Sequence, residues 1–201
     1  MEEHHHALSF KGLLPYTICG AVGRVIVTYL PPNHLGELVA RYIGGSSDTI
    51  AEAFYWLRHL DHSEESTLTH YIKGKMIGTV LSLAPYICAS LFGYDVNSRL
   101  AGSLIASSFA QSDQLGAFLS IAYYTIKRGG PKKIQDIVKN PVAMTSLGIS
   151  VVSFIIDYTA RIFITPITVE SKWFETYLLS LLCLLPVLVG YIKEIHHNDH
   201  S

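Results

Sequence analysis

Five polar side chains recur at helical spacing in the last third of the chain. Ser146, Ser150, Ser153, Asp157 and Arg161 are separated by 4, 3, 4 and 4 residues. At 3.6 residues per turn this places all five on one stripe of one helix. Val151, Val152, Phe154, Ile155 and Ile156 cover its other faces. Hydroxyls leading to an acid–base pair can line a path for a small solute or ion. They can equally bond back to carbonyls and fix helix packing. A second polar group, Gln111, Asp113 and Gln114, interrupts a stretch that is otherwise apolar. Arg24, flanked by Gly20 and Gly23, is the natural counter-ion for Asp113, since the two glycines let a neighbouring helix approach. Asp157 and Arg161 are four apart and can pair along their own helix.

Other chemistry is thinner. The cysteines Cys19, Cys88 and Cys183 each stand alone in a different apolar run, with no CxxC and no zinc spacing. His4-His5-His6 and His196-His197-x-x-His200 occupy the two tails, and His59-x-x-His62 lies near Asp61 and Glu64. None falls within a core apolar run, so the reading assigns no metal, no haem and no other cofactor. GxSxG, HExxH, GxGxxG and the phosphate-binding glycine loop are all absent from the sequence. No catalytic residue is assigned. An enzyme is the least favoured class, and it would be a lipid-modifying one acting around His59, Asp61, His62 and His70.

The elements that must position these residues follow from the charge pattern. Residues 76–94, 100–112, 114–126, 140–156 and 176–192 carry no charged side chain. A bilayer-spanning helix needs about 20 mostly apolar residues. Charged residues make up 15% of the 201-residue chain, against about 25% in a soluble domain. The mean hydropathy of +0.31 is held down by a polar stretch over 34–75 and by Ser, Thr and Gly in the apolar segments. These features predict an all-α polytopic membrane bundle forming a single domain. Its five spans are 12–30, 74–94, 99–126, 141–165 and 174–192. A basic loop covers 127–140, and tails cover 1–11 and 193–201. Residues 34–62 carry Glu37, Arg41, Asp48, Glu52 and Arg58. They are expected as two amphipathic helices along the membrane surface, with Trp56 at headgroup depth. The break between them falls at Gly44-Gly45-Ser46-Ser47, with Thr49-x-x-Glu52 as a capping box.

Lysine and arginine placement sets the orientation. The loop holds Lys127, Arg128, Lys132, Lys133 and Lys139. With Arg41, Arg58, Lys73, Lys75 and Lys193 it brings ten positive residues to one side, against Lys11, Arg99 and Lys172 on the other. The positive-inside rule puts the ten in the cytoplasm of a plasma (inner) membrane. Five spans then place the N-terminus outside and the C-terminus inside. The leading functional expectation is passage or sensing of a small solute or ion. The route is a channel-like polar core between the spans at 12–30, 99–126 and 141–165, in a bundle that can form homo-oligomers. The alternative is a non-catalytic membrane subunit whose basic loop and Trp56 dock anionic lipid or a cytoplasmic partner protein. The net charge of −1 says nothing about nucleic acid, but the sequence shows no basic face of the kind its binding requires, so no nucleic-acid partner is expected.

Overall fold

The computed structural model describes residues 8–28, 46–59, 65–82, 111–128, 133–163 and 169–198, with single positions at 84, 91, 104, 107 and 108. The described residues are helical and include no strand. Seven helices are described: α1 (Phe10–Thr28), α2 (Ser47–Arg58), α3 (Thr67–Leu81), α4 (Ser112–Arg128), α5 (Lys133–Val138), α6 (Pro141–Phe163) and α7 (Val169–Asn198). Cys88 and Lys132 lie outside the described residues, as does the first of the two helices expected over 34–62.

The helices start where short polar side chains satisfy the first free amides. The Ser9 hydroxyl accepts from Gly12 N at 3.0 Å and the Ser66 hydroxyl from Thr69 N at 3.2 Å. Asn140 Oδ1 accepts from both Val142 N and Ala143 N at 3.2 Å, and Pro141 follows it at the first helical position, where no amide is needed. α2 differs from expectation. It begins at Ser47, and Ser46 makes no side-chain cap. Glu52 is therefore not half of a capping box; it turns into the core.

The six longer helices form an antiparallel ring. α1 packs on α2, α2 on α3, α3 on α4, α4 on α6, α6 on α7, and α7 closes against α1. The closest contacts are made by glycine. A Cβ on Gly78 would overlap the Ser112 carbonyl, one on Gly74 the Gly116 carbonyl, and one on Gly20 the Asp48 backbone. The α3–α4 seam is thus a small-residue contact, Gly74-x-x-x-Gly78 on one side and Ser112, Gly116 and Ser120 on the other.

Two expectations change. Residues 47–58 do not lie apart from the bundle. Gly12 meets Tyr55, Thr17 meets Glu52 and Gly20 meets Asp48, so α2 runs antiparallel to α1 and level with it. The extra antiparallel element also moves the start of α1. Glu194 Oε1 accepts from Phe10 N at 2.7 Å and Oε2 from Lys11 N at 3.1 Å, while the Phe10 ring presses on Gly190. The start of α1 and the end of α7 therefore share one side, where five crossings predicted opposite sides. The Glu194 carboxylate sits on the positive end of the α1 dipole, which favours this junction.

Among the described residues, two stretches are long and apolar enough to cross a membrane by length and composition, Pro141–Ala160 and Tyr177–His197, with mean hydropathy 1.5 and 1.9. Many large apolar side chains point outward, among them Ile26, Ile77, Val80, Leu119, Val151, Ile155 and Leu181. Lys11, Arg58, Lys127, Arg128, Lys139 and Lys193 gather at the end of the ring where α1 starts and α7 finishes.

Candidate functional site

The centre of the ring is charged. α1 supplies Arg24, α2 supplies Asp48 and Glu52, α3 supplies Lys75, α4 supplies Asp113, and α7 supplies Cys183. Asp48 takes both cations: Arg24 Nη2 lies 2.9 Å from Oδ1 and Lys75 Nζ 2.8 Å from Oδ2. Lys75 also lies 2.9 Å from Glu52 Oε2, a charge contact that is poorly aligned as a hydrogen bond. The other Glu52 oxygen accepts from Thr17 Oγ1 at 2.9 Å. Arg24 Nη1 reaches Cys183 Sγ at 3.3 Å. Asp48, Glu52 and Lys75 are each 0% exposed.

Local sequence explains this placement. Asp48 and Glu52 are one helical turn apart and so share the inner face of α2. Gly20 lets the α2 backbone approach α1 closely enough for Arg24 to reach Asp48. Gly74 and Gly78 bracket Lys75 and seat α3 against α4, which brings Asp113 to the cluster. Burying an unpaired charge is costly, whereas opposite charges in good geometry offset each other. The five fixed charges on 34–62 argued for a surface position only because Arg24 and Lys75 are remote from them in sequence.

Arg24 pairs with Asp48, not with the expected Asp113. Among the described residues no cation lies within ion-pair distance of Asp113. Asp113 is 8% exposed and lies in the first turn of α4. One carboxylate oxygen each from Asp48 and Asp113, and the Cys183 sulfur, fall within 4.8 Å of one another. Three such groups resemble a ligand set for a cation, but Arg24 and Lys75 already bring positive charge there, and the arrangement asks for no metal.

The α6 stripe faces inward. Ser146, Ser150, Ser153 and Asp157 are all buried, while Val151, Val152 and Ile155 are exposed. Ser150 lies 3.5 Å from the Gln111 carbonyl, so the stripe runs beside the start of α4. Asp157 has a partner; the Arg161 side chain is not described. Several buried polar atoms in this interior have no hydrogen-bond partner among the described residues. They are the Tyr71 and Ser146 hydroxyls, the Ser107 hydroxyl, and both amide atoms of Gln114.

The expected contact residues are mixed. Lys127, Arg128 and Lys139 are exposed, and Lys133 opens α5. Arg128 is committed locally, bonding the Tyr124 hydroxyl and lying over its ring at 5.1 Å. Trp56 is half-buried beneath Lys73, whose Nζ is 5.9 Å from the ring. At the same end, His70 Nε2 meets Glu65 Oε2 at 2.6 Å, His70 Nδ1 meets Ser120 Oγ at 3.1 Å, and the ring stacks on Tyr124. The hydrogen bond from His70 holds the exposed Glu65 carboxyl below the usual glutamate range. A cleft of about 820 Å³ opens here between Phe10, Lys11, Ser66, Asn140, Lys193 and Glu194, and no member of the charged cluster lines it.

Asp48, Glu52 and Lys75 are the site residues that sequence reasoning missed. The signal was present: Asp48 and Glu52 sit at i,i+4, and Lys75 lies inside a Gly-x-x-x-Gly segment.

Compared with known protein families, curated proteins and solved structures, the chain matches none.

Proposed function

We propose that this chain is an integral membrane bundle that passes a small solute or ion through its polar interior. One observation carries the reading: a buried charged cluster together with buried polar atoms that have no hydrogen-bond partner among the described residues. Each such atom costs about 1–3 kcal/mol when left unsatisfied, so Tyr71, Ser107, Gln114 and Ser146 offer hydrogen-bonding positions to a polar occupant. Ionisable groups inside a membrane bundle are rare, pair with one another and mark ion and solute pathways. The route is wider than α1, α4 and α6 alone, because Asp48, Glu52 and Lys75 bring α2 and α3 into it. The cleft at the basic end does not reach the cluster, so passage requires the ring to open. The basic end is cytoplasmic in this reading, and both helix ends beside Glu194 lie there.

Vesicles reconstituted with the protein test this. The probes are shrink–swell rates in small neutral solutes and trapped-dye readouts for protons and alkali cations. A flux above protein-free vesicles, reduced by filling the stripe with Ser146→Leu or Ser153→Leu, is the expected result. A folded protein that moves none of these probes would shift the assignment to a scaffold docking lipid or protein through its basic end.

One observation favours a second reading, a lipid-modifying enzyme: the Glu65–His70–Ser120 chain has the acid–base–hydroxyl order of an activated serine. Ser120 lies in mid-helix, however, where backbone amides are already bonded and none is left to hold an oxyanion. Wild type and Ser120→Ala should therefore both leave the lipid composition of vesicles unchanged, and a change made by wild type alone would favour the enzyme.

A further inference from the structure

We infer that Asp113 binds one exchangeable proton, and that this proton balances the charged core through which the solute moves. The inference rests on the passage reading for its role in transport, but the proton site stands on the geometry of the cluster itself.

Among the described residues the cluster contains three carboxylates and two cations. Asp48 is shared by Arg24 and Lys75, and Glu52 is held by Lys75 and Thr17. Asp113 has no cation within ion-pair distance, yet its carboxylate lies within 4.8 Å of that of Asp48. Two ionised carboxylates so close in a low-dielectric site repel strongly, and one proton resolves the conflict. Every facing element agrees. Arg24 on α1 is engaged with Asp48 and Cys183. Asp48 and Glu52 on α2 are both acids. Tyr71 and Lys75 on α3 offer a phenol whose hydroxyl has no hydrogen-bond partner among the described residues and an ammonium already placed between two carboxylates. Cys183 on α7 is a thiol. The α6 stripe presents hydroxyls up to Asp157.

The proton is exchangeable rather than permanent for two reasons. Asp113 keeps slight exposure, whereas Asp48 and Glu52 have none. It also lies in the first turn of α4, where the helix dipole favours its anion. When the O–H bond breaks, the proton passes to water and the electron pair stays on the carboxylate. The new anion then competes with Asp48 for Arg24, one of several contacts between α1 and α2. Proton release is thereby linked to the ion pair between α1 and α2.

Infrared spectroscopy of the purified, membrane-reconstituted chain tests this without needing flux. At neutral pH a carbonyl stretch of a protonated carboxylic acid is expected. It should shift when the chain carries heavy-carbon-labelled aspartate but not labelled glutamate, persist in Asp157→Asn, disappear in Asp113→Asn, and titrate away at alkaline pH. The labelling arm uses the wild-type chain, so the result does not depend on a variant folding. No such band at neutral pH, or a band that survives Asp113→Asn in a folded protein, would overturn the proton site. A band with the expected behaviour in a protein that moves no probe would sink the passage reading and leave the proton site intact.

Discussion

At the residue scale the central contrast is between charges that are paired and one that is not. Removing Arg24 or Lys75 strands buried carboxylates, so Arg24→Gln and Lys75→Met should each destabilise by about 3–5 kcal/mol. Asp113→Asn replaces a neutral acid with a neutral amide of similar shape and should melt near the wild type. Thermal unfolding in detergent measures all three; a large loss for Asp113→Asn alone would show that its charge is structural. The same variants test the pairing. A double-mutant cycle of Arg24→Gln with Asp48→Asn should give a coupling of about 0.5–3 kcal/mol, and the cycle with Asp113→Asn a smaller one. At the exposed end, the folded state holds the Glu65 carboxyl below its unfolded range through His70. Its contribution is therefore present above the unfolded glutamate range and lost as pH falls through the lower folded value. Melting curves of wild type and Glu65→Gln should converge as pH is lowered through that acidic interval, and a gap that widens instead would reverse the sign. The inward stripe Ser146, Ser150, Ser153 and Asp157 was legible because period-3.6 spacing is a property of one segment. The partner of Arg24 was not, because Asp48 and Asp113 are equally plausible until α2 is known to stand inside the ring.

Glycine contacts decide the element scale. α3 and α4 meet where Gly74, Gly78 and Gly116 leave no room for a side chain, and this seam fixes both Lys75 and Asp113. Gly78→Ala should force backbone displacement and cost about 1–3 kcal/mol. Gly148→Ala is the matched control, since nothing lies within 4 Å of a Cβ there, and helix propensity alone then favours alanine. Equal melting temperatures for the two variants would mean that the seam is looser than described. The helix start at Pro141 was legible from the proline, whereas α1 and α3 begin at Phe10 and Thr67, ahead of the expected 12 and 74, because Ser9 and Ser66 cap them. The placement of α2 could not: an amphipathic helix with several charges satisfies a membrane surface and a charged core alike. Only the remote residues Arg24 and Lys75 distinguish the two.

Over the whole molecule, the all-α architecture was legible in the long uncharged runs. The position of the start of α1 was not, because it depends on whether one short charged helix stands in the ring. Glu194 settles where the ends of α1 and α7 meet. Single cysteines replacing Lys11, Lys139 and His196 should consequently react with a membrane-impermeant reagent from the same side, and one replacing Phe163 from the other. Opposite labelling of Lys11→Cys and His196→Cys would break the ring. The central claim is that the charged interior conducts. It is tested most directly by proton entry into reconstituted vesicles under an imposed potential, read by a trapped pH dye, for the wild type beside Asp113→Asn. The account predicts entry above protein-free vesicles for the wild type and its loss in a folded Asp113→Asn. Equal rates in the two proteins, or none above empty vesicles, would contradict it.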